Sequence, residues 1–173
     1  MNKRILFCME SNSRADTDYQ YIHATIQYYY EDNKNIAYKK EHLNSKTRYN
    51  DRAIIKKIRD FQRYSRDAHI IYCIDTDDYL ASPKDKALLE QIDNYCHANG
   101  YDLIFFCRDV EEVYWGKQVH DTEKTKMAIR FKKNNMIVSV NEENLRKEAY
   151  ALKSSNILDV LDQYFVQKQQ KAL

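Results

Sequence analysis

The chain has 173 residues, of which 43% are hydrophobic and 31% charged, and a net charge of +2. That balance fits a single folded domain over residues 1–173 and excludes a disordered chain or a polycation. No stretch approaches the roughly 18 apolar residues that span a bilayer, and 2 glycines with 1 proline leave no material for a glycine-rich phosphate loop.

Lys3–Met9, "KRILFCM", reads as a first strand ending at Glu10. Its apolar run is too short for the core of a signal peptide, so the expected location is the cytoplasm. Asp16 or Thr17 can cap a helix running to Tyr30, with Tyr19, Ile22, Ile26 and Tyr29 on one face. "NIAYKKEHL" is a weaker strand candidate. Asn50 is placed to cap a helix whose apolar positions Ile54, Ile58 and Phe61 follow 4,3 spacing. "IIYCID" then reads as a strand buried on both faces. "SPKDKALLEQIDNYCHANG" is the best-marked helix: Ser82 as cap, Pro83 in the first turn, Asp85 at the third position and Asn99-Gly100 as the stop.

"YDLIFFC" is a further buried strand and "DVEEVYWG" a short helix or loop. A helix follows from Asp121 to Phe131, then a short "MIVSV" segment and terminal helices from Asn141 and Asn156. Alternation of strands and helices predicts a three-layer α/β/α domain, a parallel sheet of about four strands with extra C-terminal helices. Cys8, Cys73, Cys96 and Cys107 show no CxxC spacing, so reduced core thiols are expected. No histidine sits at ligand spacing with a cysteine, which argues against a Cys-His centre.

Functional groups of open parallel sheets gather beyond the carboxyl ends of the strands. Three strands here end in acid: the first at Glu10, the third at Asp75 and Asp77, the fourth ahead of Asp109, Glu111 and Glu112. If these strands are neighbours, carboxylates from distant parts of the chain converge. Oxygen ligands of this kind suit a hard cation, which could activate water and neutralise a phosphodiester. An Asp-x-Asp taken alone is equally the material of a turn or helix cap. Side-chain alternation along a strand would aim Asp75 and Asp77 one way and Asp78 the other.

The helix after Asn50 carries Arg52, Lys56, Arg59, Arg63 and Arg66 at spacings 4, 3, 4, 3, a cationic stripe opposite its apolar face. Lys39–Arg66 holds ten basic and three acidic residues, net +7, which leaves the remainder near −5. Such a stripe suits phosphate contact without sequence reading; the plainer reading is a solvated helix face. Lys124, Lys126, Arg130, Lys132 and Lys133 form a looser cluster. Trp115 and the tyrosines can stack on bases, although packing explains most of them.

A strand ending in glutamate, a helix, and a later apolar strand ending in Asp-x-Asp together resemble the Toprim domain. That domain occurs in type IA and II topoisomerases, bacterial primases, small maturation ribonucleases and overcoming-lysogenization-defect nucleases. In detail the chain is most similar to the short RloB-like proteins associated with restriction and phage-defence loci. Glu10 matches the first glutamate of that pattern, "TDYQYI" (Thr17 to Ile22) the helix start with Asp18 for the usual Glu, "DTDDY" (Asp75 to Tyr79) the acidic turn, and "DVEEVYWG" the last segment. Ser11 stands where the family has Gly after the glutamate, and Leu80 where many members have Gly after the acidic turn.

The resemblance covers residues 3–116, with 117–173 as a C-terminal helical extension. It implies a Mg²⁺- or Mn²⁺-dependent nuclease acting on DNA or RNA, an anti-phage effector working alone or with an ATPase or other protein partner, and no membrane. Glu10 would be metal ligand or general base, Asp75 and Asp77 would hold the cation, and Glu111 or Glu112 would supply the further acid. The alternative is a non-catalytic subunit that binds nucleic acid or protein on the same scaffold.

Overall fold

The computed structural model describes residues 3–11, 16–32 and 34–169. Strands β1 (Lys3–Met9), β2 (Ile36–His42), β3 (Ala68–Asp75) and β4 (Asp102–Cys107) run parallel, and a two-residue β5 (Ser154–Ser155) joins antiparallel at the edge. The sheet order is β2-β1-β3-β4-β5. The helices are α1 (Thr17–Tyr29), α2 (Arg52–Arg63), α3 (Pro83–Asn99), α4 (Val110–Trp115), α5 (Asp121–Lys133) and α6 (Ile157–Leu161). The expected α/β layering is therefore present, with five strands rather than four.

Strand periodicity explains the layers. Ile5, Phe7, Met9, Ile71, Cys73, Ile104 and Phe106 point to one face, where α1, α4, α5 and α6 cover them. Leu6, Cys8, Ile70, Tyr72 and Ile74 point to the other, against Ile54, Ile58 and Phe61 of α2 and Leu89, Ile92 and Cys96 of α3. Burial on both faces is why these strands read as continuous apolar runs. All four cysteines are free and buried.

Local chemistry sets the helix ends. Ser82 Oγ accepts from the Asp85 amide at 3.2 Å, Pro83 opens α3, and Gly100 closes it at φ 67°, as expected. The cap of α2 is Asp51 rather than Asn50, because the turn before it ends one residue later, and its side chain makes no capping bond. Asp16 stands at the start of α1 but does not cap it; its carboxylate pairs with Lys40. The buried face of α1 is broader than the spacing predicts, taking in Tyr21, Ala24 and Thr25, since α5 covers the side that the sheet does not. The segments at "MIVSV" and after Asn141 are 3₁₀ turns, Met136–Ser139 and Glu142–Leu145.

Residues 117–169 share the core rather than hang from it. Phe131 packs against Tyr21 and Tyr114 at ring distances of 4.9 and 5.4 Å, and Ile157, Leu158 and Leu161 are fully buried in the same cluster as Phe7. Trp115 is occupied in the same way, donating to Tyr21 Oη at 3.0 Å. Among the described residues no helix is long and apolar enough to cross a membrane.

Candidate active site

The chain leaves β1 through α1 toward β2, then returns through α2 to the other side of β1, where β3 pairs. The carboxyl ends of β1 and β3 thus flank the point where strand order reverses, which is where crevices open in sheets of this kind. Met9 lies beside Cys73 and Asp75 beside Phe106. Glu10 and Asp75 therefore emerge on adjacent strands at one rim, with the β4–α4 junction next to them.

Four acids meet around Asp75. Burial raises its pKa far above the carboxylate range, and the charges of Asp18, Glu10, Glu111 and Asp109 raise it further. Its Oδ1 accepts from the Val110 amide at 3.1 Å, which ties the end of β3 to the start of α4. Glu10 has its pKa pushed up to about 7, chiefly by burial and then by Asp77 and Asp18, against the opposing charge of Lys46. Its Oε2 is buried without a hydrogen-bond partner. Asp18 is buried in the first turn of α1, held by the Ser11 amide at 3.0 Å and Thr17 Oγ1 at 3.2 Å. Even so, burial leaves its pKa raised.

Helix geometry separates Glu111 from Glu112. Successive residues of a helix point about 100° apart, so one of the two faces the cluster. Both are buried, but it is the charge of Glu111 that acts on Asp75, and its own pKa is pushed up to about 7 by burial, with Asp109 and Asp18 adding to the shift. Lys124 Nζ stands 3.2 Å from its Oε2, yet neither carboxylate oxygen receives a well-aligned hydrogen bond. Glu112 turns away, and Arg108 Nε donates to it at 2.9 Å. Asp109 caps α4 through the Glu112 amide at 2.7 Å and pairs with Lys124 at 3.3 Å.

Asp77 does not share a side with Asp75 by strand alternation. β3 ends at Asp75, and Asp77 sits in the following turn at φ 50°, where the two-residue period no longer applies. Its half-exposed carboxylate pairs with Lys46, whose ammonium also donates to the Asp75 carbonyl at 2.9 Å. Lys46 and Lys124 thus each set a positive charge against acids of the cluster. Burial works against the Lys124 ammonium, but Glu111, Asp109 and Asp75 outweigh it and raise its pKa above the ordinary lysine value.

The structure therefore brings Glu10, Asp75 and Glu111 to one rim, pairs Asp77 with Lys46 and Glu112 with Arg108, and adds Asp18 and Lys124, which the sequence named only as a helix-start residue and as part of a basic cluster, and Lys46, which it did not name. Asp18 carried a signal, as an acid in the first turn next to the glutamate-ended strand. Lys46 carried none, and the basic cluster around Lys124 gave no sign that it faces acids. Among the described residues no group of three or more His, Cys, Asp or Glu side chains is arranged to hold a metal ion as it stands. The chemistry of the donor set does fit a hard cation: carboxylate oxygens, of which Glu10 Oε2 and Glu111 Oε1 are buried without a hydrogen-bond partner while Glu111 Oε2 faces the Lys124 ammonium.

Arg52, Lys56, Arg59, Arg63 and Arg66 are all exposed. Arg63 pairs with Asp60 at 3.4 Å, and among the described residues the other four make no ion pair. Arg52, Lys56, Arg59 and Arg63 line a shallow hollow of about 500 Å³ along α2. Because α2 follows β2, its Arg52 end lies toward the acidic rim and its Arg63 end away from it.

No family model, curated protein or solved structure matches this chain closely enough to show a relationship.

Proposed function

We propose that the chain is a Toprim-like phosphodiesterase that depends on Mg²⁺ or Mn²⁺ and acts on nucleic acid. The observation that carries this reading is the convergence of Glu10, Asp18, Asp109 and Glu111 on Asp75, acids from separate parts of the chain whose charges all act on one buried carboxyl. A fold does not hold that much like charge together without a counterion or a proton to offset it.

Glu10, Asp75 and Glu111 are the residues that would hold the cation. Once bound, it would supply charge neutralisation at a phosphodiester and a lowered pKa for its water. Glu10, with a pKa near 7 and an open oxygen, is suited to take a proton from an attacking water at Oε2. Lys46 and Lys124 hold the surrounding acids in place and offset part of their charge. The α2 stripe would bind the phosphates of a strand leading to the rim. The resemblance to RloB-like proteins would add a phage-defence setting and an ATPase or other protein partner; the proposed cytoplasmic location rests on the short N-terminal apolar run and the unpaired cysteines.

The test is hydrolysis of single- and double-stranded DNA and RNA with Mg²⁺ or Mn²⁺. Cleavage by the parent, lost in Asp75→Asn and Glu10→Gln, is the expected result. Salt-sensitive binding without any cleavage would replace it with the non-catalytic reading, which the commitment of Asp77 to Lys46 favours.

A further inference from the structure

Lys124 reaches the acidic rim from the start of α5. Its ammonium stands 3.2 Å from Glu111 Oε2, 3.3 Å from Asp109 Oδ2 and 3.7 Å from Asp121 Oδ1. These three acids run from the inside outward, with side chains 1%, 21% and 98% exposed. The directed hydrogen bond of the ammonium goes to Asp109, the middle of the series; toward Glu111 the contact is one of charge. Glu111 Oε1, on the same buried carboxyl, has no hydrogen-bond partner.

A buried carboxylate needs an opposite charge beside it or it takes up a proton. Lys124 supplies that charge to Glu111, and it also feels the charge of Asp75. An ammonium on a flexible four-carbon stem is a movable counterion, and this one is 26% exposed, while Glu111 is held inside. Movement outward keeps it paired, with Asp109 and then with Asp121. A dication held by Glu10, Asp75 and Glu111 repels a neighbouring ammonium and brings the same acids twice its charge. Lys46 has no comparable way out. Its side chain is 8% exposed, and it donates to the Asp75 carbonyl at 2.9 Å.

We infer that Lys124 is the built-in counterion of the cation site, displaced outward along Asp109 and Asp121 when a divalent cation binds. The exchange sets the cation concentration at which the site fills, and it keeps the buried acids compensated below that concentration. The inference rests on the proposed dependence on Mg²⁺ or Mn²⁺ and assigns the residue that governs it.

The test is isothermal titration of the full chain with Mn²⁺, beside thermal midpoints in a chelator. Lys124→Gln should bind Mn²⁺ at least about 10-fold more tightly than the parent, since a positive charge next to the dication is gone. It should melt below the parent in the chelator and regain the difference with saturating Mn²⁺. Asp121→Asn alters a fully exposed side chain, so the fold should survive, and it removes the outer partner of the displaced ammonium. It should weaken Mn²⁺ binding by about 1.5- to 5-fold, the range of exposed ion pairs. In the Lys124→Gln background the same change should have no effect, which a merely structural lysine would not produce.

Mn²⁺ binding by Lys124→Gln that is equal to the parent's or weaker overturns the inference. So does unchanged binding by Asp121→Asn, the variant that decides alone if Lys124→Gln does not fold. A parent that binds Mn²⁺ and cleaves, with a Lys124→Gln that binds no tighter, sinks the exchange and leaves the nuclease standing. Tighter binding by Lys124→Gln without cleavage by either protein does the opposite, and no Mn²⁺ binding by either sinks both.

Discussion

The Lys46 ammonium donates to the backbone carbonyl of Asp75 at 2.9 Å. One lysine from the loop after β2 thereby fixes the end of β3, pairs with Asp77 in the next turn, and sets its charge against Glu10. Lys46 is only 7% exposed. Lys46→Met keeps the length and removes the cation, leaving a backbone carbonyl and Glu10 without their positive neighbour. We expect a loss of about 1–3 kcal/mol, the cost of stranding buried polar groups, with the Asp77 pairing adding little because that carboxylate is half exposed. Urea unfolding checks this; an unchanged midpoint would mean that Lys46 is not a structural counterion.

Acidic clustering gives the cation-free protein an unusual pH response. Glu10 and Glu111 have folded pKa values near 7, above the usual 4.5, and Asp75 is raised as well. Folded protein therefore holds more protons than unfolded chain between about pH 4.5 and 7, and stability falls as pH rises through that window. In the presence of a chelator, thermal midpoints should drop from pH 5 to pH 8. Glu10→Gln with Asp75→Asn should flatten the drop, since amides cannot ionise. Parallel curves for parent and double variant would place the effect elsewhere.

Glu111 and Glu112 are neighbours in sequence with opposite surroundings, so their amide variants should behave differently. Glu111→Gln should lower divalent-cation affinity by more than the about 10–100-fold that loss of a ligand's supporting hydrogen bond costs. Glu112→Gln should leave cation affinity nearly intact and instead loosen Arg108, which it holds at 2.9 Å. Isothermal titration with Mn²⁺ distinguishes the two. Equal losses would show that both acids reach the cation.

Reversing charge on α2 tests the stripe without disturbing the core, because Arg59 and Arg63 are exposed while Ile54, Ile58 and Phe61 carry the packing. Arg59→Glu with Arg63→Glu should weaken binding of DNA and RNA alike and reduce the slope of log affinity against log salt by about 1 per lost phosphate contact. An unchanged slope would assign the stripe to solvent.

How much could be read from the sequence varies with how local the determining physics is. α3 was fully legible because Ser82, Pro83, Asp85 and Gly100 act within their own turns. The stripe on α2 was legible from helical spacing alone. β5 was not: two serines at an edge carry no apolar alternation, and their place depends on β4. Strand alternation does not set the orientation of Asp77, because β3 ends at Asp75 and Asp77 lies in a turn at positive φ. Glu10, Asp75 and the Glu111/Glu112 pair could be named in advance because each sits at a strand end. Lys46 and Lys124 could not, because their role exists only once the chain has folded back on itself.

The sheet has one long outer margin, β2, whose Lys39, Lys40 and Glu41 lie along the strand. On the opposite margin β5 pairs with only Phe106 and Cys107 of β4, and the Asn156 side chain takes up the Phe105 amide and the Leu103 carbonyl. Charged side chains on an outermost strand, and a stub too short to template another chain, both discourage end-on addition of further β-strands. The charges along β2 and the covering of β4 therefore oppose growth of the sheet at either margin.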